Sequence, residues 1–163
     1  MVKNINNFLI EMRDKFVVIF FVIITIVISI VYNILLSAFK VKTEVDNMQF
    51  YESIIEVFLF AVVLAPIIET FLFLYLFFQF LKTKLNSKNI ILFSALCFSL
   101  IHYPKNFSVT ETLNVFIVGL ILGYAYKIFL CKRLPPFWYV VAIHACINFI
   151  GIMIYFFLPE VTN

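Results

Sequence analysis

The sequence predicts an all-α, polytopic transmembrane helix bundle of about five spans with a cytoplasmic N-terminus. Three observations predict it. Of 163 residues, 64% are hydrophobic and 13% charged, a balance that a water-facing globular surface does not provide. The apolar residues collect in five segments, most of them close to the roughly 20 residues that cross about 30 Å of hydrocarbon at about 1.5 Å per residue. Lysine and arginine alternate in abundance between successive connections, as orientation in a membrane requires.

The first segment runs from about Phe16 to Ala38, behind Lys3, Arg13 and Lys15. Its apolar run exceeds the roughly 7 to 15 residues of a secretory signal, so it reads as a retained anchor helix. The second covers about Ile54 to Leu81, and the third, which is short, about Asn89 to Tyr103 or slightly beyond. The fourth covers about Thr112 to Leu130, where Ser108 with Glu111 three residues on supplies a capping box. The fifth covers about Phe137 to Leu158, behind the Pro135-Pro136 pair that suits a helix start. With five crossings, one side carries Lys3, Arg13, Lys15, Lys82, Lys84, Lys88, Lys127, Lys132 and Arg133, and the other Lys40, Lys42 and Lys105. Four or six crossings would scramble this alternation. A single membrane domain is expected, residues 1–39 forming an N-terminal anchor and residues 53–158 the core, in a multi-pass protein of the cell membrane.

Several function classes fall away on composition. The net charge of +3 is scattered between apolar stretches and forms no basic stripe, so no nucleic-acid partner is expected. With 22 Phe against 3 Gly the chain is neither disordered nor linker-rich. Cys97, Cys131 and Cys146 show no C-x-x-C spacing, hence neither a disulfide framework nor a thiolate metal site. Cys146 follows His144 by two residues, an offset of about 200° on a helix, which points a thiol away from its would-be base. Gly119 and Gly123 form G-x-x-x-G, which lets another helix approach closely, either within the chain or across a homodimer seam.

A charge at mid-membrane costs about 2.5 to 3.5 kcal/mol on insertion scales, so the ionisable residues inside the spans need a reason. Glu69 lies near the middle of the second segment, His102 near the far end of the third, and His144 within the fifth; the protein has no other histidine. Glu56, in the first turn of its helix, is shallow enough to stay hydrated. Asn148 follows His144 at i+4, about 40° away on the helical wheel, so the two form one polar stripe. Counted from the cytoplasmic ends, Glu69 and His102 both lie about 20 Å deep, and His144 and Asn148 about 12 to 18 Å deep. A carboxylate base and hydrogen-bond donors at similar depth on three helices are what a water-activating site requires. The structural alternative is a protonated glutamate with helix-bridging His and Asn contacts of about 0.6 to 2 kcal/mol each.

These residues carry a resemblance. Ala65-Pro66-Ile67-Ile68-Glu69-Thr70-Phe71-Leu72-Phe73, then Phe98-Ser99-Leu100-Ile101-His102, then His144-Ala145-Cys146-Ile147-Asn148 resemble, in order and helix position, the three motifs of the CAAX protease and bacteriocin-processing (CPBP, or Abi) intramembrane proteases. Those motifs read approximately E-E-x-x-x-R, F-x-x-x-H and H-x-x-x-N, and the resemblance covers about Ser53 to Phe157. Two departures stand out: Thr70 takes the place of the second glutamate and Leu74 that of the arginine.

The resemblance implies an intramembrane endopeptidase. Glu69 would be the general base on a water that His102 helps to hold, and His144 with Asn148 would stabilise the oxyanion. No cofactor is expected, although Glu69 with two histidines could also hold a divalent metal such as zinc. The implied partner is a membrane-associated peptide or protein substrate within the lipid bilayer. Two other readings stay open: a catalytically impaired immunity or scaffolding protein, as in bacteriocin self-immunity, which Thr70 and Leu74 favour, and a proton or ion relay through Glu69.

Overall fold

The computed structural model describes residues 5–39, 53–106 and 108–157, and every described element is helical. Lys3, Lys40 and Lys42, Leu158 at the end of the fifth expected segment, and the side chain of Lys105 lie outside the described part. Six helices follow one another: α1 (Ile5–Glu11), α2 (Asp14–Ala38), α3 (Ile54–Leu81), α4 (Ser87–Asn106), α5 (Val109–Cys131) and α6 (Pro136–Phe157). Helices α2, α3, α5 and α6 are long and apolar enough to cross a membrane, and α4 contributes a shorter apolar stretch, Ser87–Tyr103. The five expected segments thus become α2 to α6, as an all-α polytopic bundle. Helical backbone satisfies its own hydrogen bonds, which hydrocarbon cannot do for it.

Boundaries follow local chemistry. Ser108 caps α5 by accepting from the Glu111 N–H at 3.3 Å, and Ser53 caps α3 by accepting from the Glu56 N–H at 3.2 Å. Asn86 accepts from the Asn89 N–H at 2.9 Å at the start of α4. Pro136 opens α6, where its missing N–H costs no helical bond. Helix α5 ends with Arg133 at φ 58°, the Leu134 N–H reaching Phe129 O and the Arg133 N–H reaching Leu130 O. This is the left-handed Schellman stop that usually takes glycine, and it turns α5 tightly back into α6.

Lipid-facing and core-facing residues separate along α2 at helical spacing. Phe16, Ile19, Ile23, Val27, Ile30 and Ile34 are exposed, whereas Val17, Phe21 and Thr25 are buried. Helix α5 is central, with Leu122, Ala125, Tyr126 and Phe129 buried. The Phe129 ring stacks on Tyr139 of α6 at 4.4 Å, and Tyr126 stacks on Phe78 of α3 at 4.8 Å. The G-x-x-x-G face of α5 is taken up inside the chain: a Cβ at Gly119 would lie 3.1 Å from the Ala95 Cα, and one at Gly123 would lie 3.0 Å from Ile91 Cγ2. Small residues here let α4 and α5 approach.

Helix α1 was not among the expected segments. It is seven residues long and buries Leu9 in the core. Lys132, at the end of α5, holds the α1–α2 corner by donating to Ile10 O at 2.8 Å and Met12 O at 2.7 Å and pairing with Asp14 at 3.1 Å.

Helix α3 departs from α-helical winding twice, with π-helical stretches at Phe58–Leu64 and Thr70–Tyr75 on either side of an α-helical Ala65–Glu69. The cause of the first is Pro66, which has no N–H to give its preceding turn. The Ala65 N–H bonds to Phe60 O, five residues back, and this together with Pro66 leaves Ala61 O without a helical donor.

Candidate active site

Asn148 of α6 fills that gap: its Nδ2 donates to Ala61 O at 2.7 Å. At the second π-helical stretch, Ser94 of α4 donates to Phe73 O. Each unwound part of α3 is therefore tied to a neighbouring helix by one side chain, and Glu69 lies between the two ties. Backbone irregularity at membrane depth is tolerated where other groups take up the freed carbonyls.

Glu69 faces both histidines. His102 Nε2 lies 3.6 Å from Oε1 and His144 Nε2 lies 3.6 Å from Oε2, one imidazole per carboxylate oxygen. These separations exceed a direct hydrogen bond. His144 is buried and Glu69 nearly so, with 14% of its side chain exposed. His102 is fixed by its own helix: Nδ1 lies 2.7 Å from Phe98 O. A carbonyl can only accept, so Nδ1 carries the proton and a neutral His102 turns the lone pair of Nε2 towards Glu69. The Phe98 ring stands edge-on to both imidazoles, at 4.7 Å from His102 and 5.9 Å from His144.

All four sequence-predicted residues, Glu69, His102, His144 and Asn148, line one groove of about 670 Å³. That volume is typical of ligand pockets, roughly 300 to 1,000 Å³. The far wall carries a polar pair that sequence reasoning did not identify, Ser29 of α2 donating to Asn114 Oδ1 of α5 at 3.3 Å. Nothing at sequence level pairs residues 85 apart, although an asparagine inside an apolar span was a visible signal. The Phe98 carbonyl was hidden for another reason: backbone groups carry no sequence signature, beyond the i, i+4 spacing of Phe98 and His102.

Thr70 and Leu74 are buried, 2% and 5% exposed, on the side of α3 turned into the bundle. Cys97, Cys131 and Cys146 are free thiols. Among the described residues, no group of three or more His, Cys, Asp or Glu side chains is arranged to hold a metal ion.

The sequence model of the Rce1-like type II CAAX prenyl endopeptidases matches residues 51–150, which contain all four residues around the groove. The chain belongs to this Rce1-like family. Searches of curated proteins and of solved structures find no match. The family is one of proteases, and this Rce1-like chain is a membrane protein of the intramembrane endopeptidase class. The match begins beyond α2, yet α2 contributes Ser29 to the groove.

Proposed function

We propose that this Rce1-like protein is a glutamate-dependent intramembrane endopeptidase that cleaves a membrane-associated peptide or protein lying in the groove. The observation that carries the reading is Glu69 flanked on each carboxylate oxygen by one imidazole at 3.6 Å, at the wall of a cavity open enough for a peptide. A neutral His102 and an ionised Glu69 present two acceptors to one another. A water that donates one hydrogen to each satisfies both and leaves its oxygen lone pairs for attack. As that oxygen bonds to the peptide carbonyl carbon, Glu69 takes the proton. It then delivers the proton to the amine nitrogen as the C–N bond breaks. General-base assistance of this kind contributes roughly 10² to 10⁴ in rate.

His144 and Asn148 stabilise the oxyanion in this scheme. The Asn148 amide has two hydrogens, and the bond to Ala61 O uses one, which leaves the other for the substrate. Fixed donors of this type contribute roughly 10² to 10³ each. The mechanism is metal-independent.

A second reading has its own observation: Thr70 and Leu74, buried where the resemblance implies a glutamate and an arginine, fit a catalytically impaired protein that binds a peptide without cutting it. Comparing membrane-protein termini in cells carrying the unmodified chain and Glu69→Gln decides between them. New termini that vanish in Glu69→Gln support hydrolysis. Identical termini in both, with a peptide still captured by the variant, support the binding reading. Cleavage abolished by a chelator and restored by zinc would overturn metal independence.

A further inference from the structure

Behind the carboxylate lies a second, much smaller cavity of about 10 Å³, lined among others by Glu69, Thr70, Ser94, Phe98, Gly119 and His144. Glu69, Phe98 and His144 also line the large groove, so they form the partition between the two spaces. The volume matches a single water molecule, about 10 to 15 Å³ by the same measure. The Thr70 hydroxyl oxygen is buried on this cavity with no hydrogen-bond partner. Other threonines of the bundle behave differently: Thr25 donates to Phe21 O at 2.7 Å and Thr112 to Ser108 O at 2.8 Å, each four residues back in its own helix. A buried hydroxyl left unpaired in a protein interior calls for an explanation.

We propose that Thr70 holds one water molecule in this cavity, and that this water orients the Glu69 carboxylate from the side opposite the groove. A buried water takes two to four polar partners, and the cavity provides them: the Thr70 hydroxyl, the Ser94 Oγ lone pairs left after its donation to Phe73 O, the Glu69 carboxylate and the His144 ring. The apolar remainder of the lining keeps the water from exchanging freely with the groove. Thr70 thereby acts as a positioning residue through the water, doing what a carboxylate beside Glu69 would do directly. This role rests on the reading of Glu69 as the base; the water site itself does not.

Two measurements test it on the full chain in detergent micelles. With threonine methyls labelled, magnetisation transfer from a long-lived water to the Thr70 methyl is expected; its absence overturns the site. In cleavage kinetics, Thr70→Val should lower kcat by on the order of tenfold with KM unchanged, and Thr70→Ser should restore most of the loss. Circular dichroism should show both variants folded as the unmodified chain is. A Thr70→Val enzyme with unchanged kcat overturns the positioning role while leaving the Glu69 reading intact, because that reading stands or falls with Glu69→Gln. Equal losses in Thr70→Val and Thr70→Ser overturn the role as well, since serine keeps the hydroxyl.

Discussion

Phe98 holds His102 from two directions: its carbonyl oxygen lies 2.7 Å from Nδ1, and its ring meets the imidazole edge-on at 4.7 Å. The backbone contact sets which nitrogen carries the proton. The ring contact sets the plane in which Nε2 approaches Glu69. Both follow from the helical i, i+4 relation, which stacks the two residues one turn apart.

Phe98→Leu separates the two effects, because the carbonyl contact survives and the ring against both imidazoles is lost. Cleavage kinetics should show kcat falling by up to about 10²-fold, the scale of a small misplacement, with KM little changed. A variant with unchanged kcat would mean that the ring is mere core packing.

Asn148→Ala removes the donor to Ala61 O and one side of the proposed oxyanion site together. Thermal unfolding in detergent should register a loss of about 0.6 to 2 kcal/mol, and kcat should drop by roughly 10² to 10³. Asn148→Asp cannot donate to the carbonyl either, so it should behave no better than alanine.

Gly119→Ala and Gly151→Ala should move stability in opposite directions. A methyl at Gly119 meets the Ala95 Cα and Phe98 Cδ1 at 3.1 Å, whereas one at Gly151 meets nothing within 4 Å. The first should cost about 1 kcal/mol by overpacking, and the second should gain about 0.5 to 1 kcal/mol from helix propensity. A midpoint that does not fall in Gly119→Ala would contradict the packing of α4 on α5.

Arg133→Gly should stabilise the protein by about 0.5 to 1 kcal/mol, since Arg133 sits at φ 58°, where a side chain clashes with its own backbone. Arg133→Val should lower the unfolding midpoint, because a β-branched residue tolerates that conformation least.

Much of the candidate site was legible because lipid makes polarity conspicuous. Glu69, His102, His144 and Asn148 stand out in apolar spans, and counting along the helices puts Glu69 and His102 level with each other and His144 and Asn148 somewhat shallower. The groups around those four were not legible. The Ala61 and Phe98 carbonyls have no side-chain signature, and Ser29 meets Asn114 across 85 residues of chain. Helix boundaries followed caps, as Ser108 and Pro136 illustrate, while the seven-residue α1 escaped because a length criterion for spans cannot detect it. Lys132 was counted as a connection charge, whereas it also ties α1 to α2 through three contacts. The first π-helical stretch of α3 had a visible signal in Pro66, although the proline alone does not say how the chain will absorb its missing hydrogen, and the second stretch, at Thr70–Tyr75, had none.

That winding places a constraint on genetic change that substitution tables would miss. Because a π-helical turn holds about one residue more than an α-helical one, losing one codon within Phe58–Leu64 would let this part of α3 relax to ordinary pitch with Glu69 still facing the groove. Losing one just before Glu69, in the α-helical Ala65–Glu69, would instead swing the carboxylate by about 100° from the two imidazoles although every side chain it depends on was still encoded. For this helix, which residue is lost counts for less than the pitch of the turn that loses it.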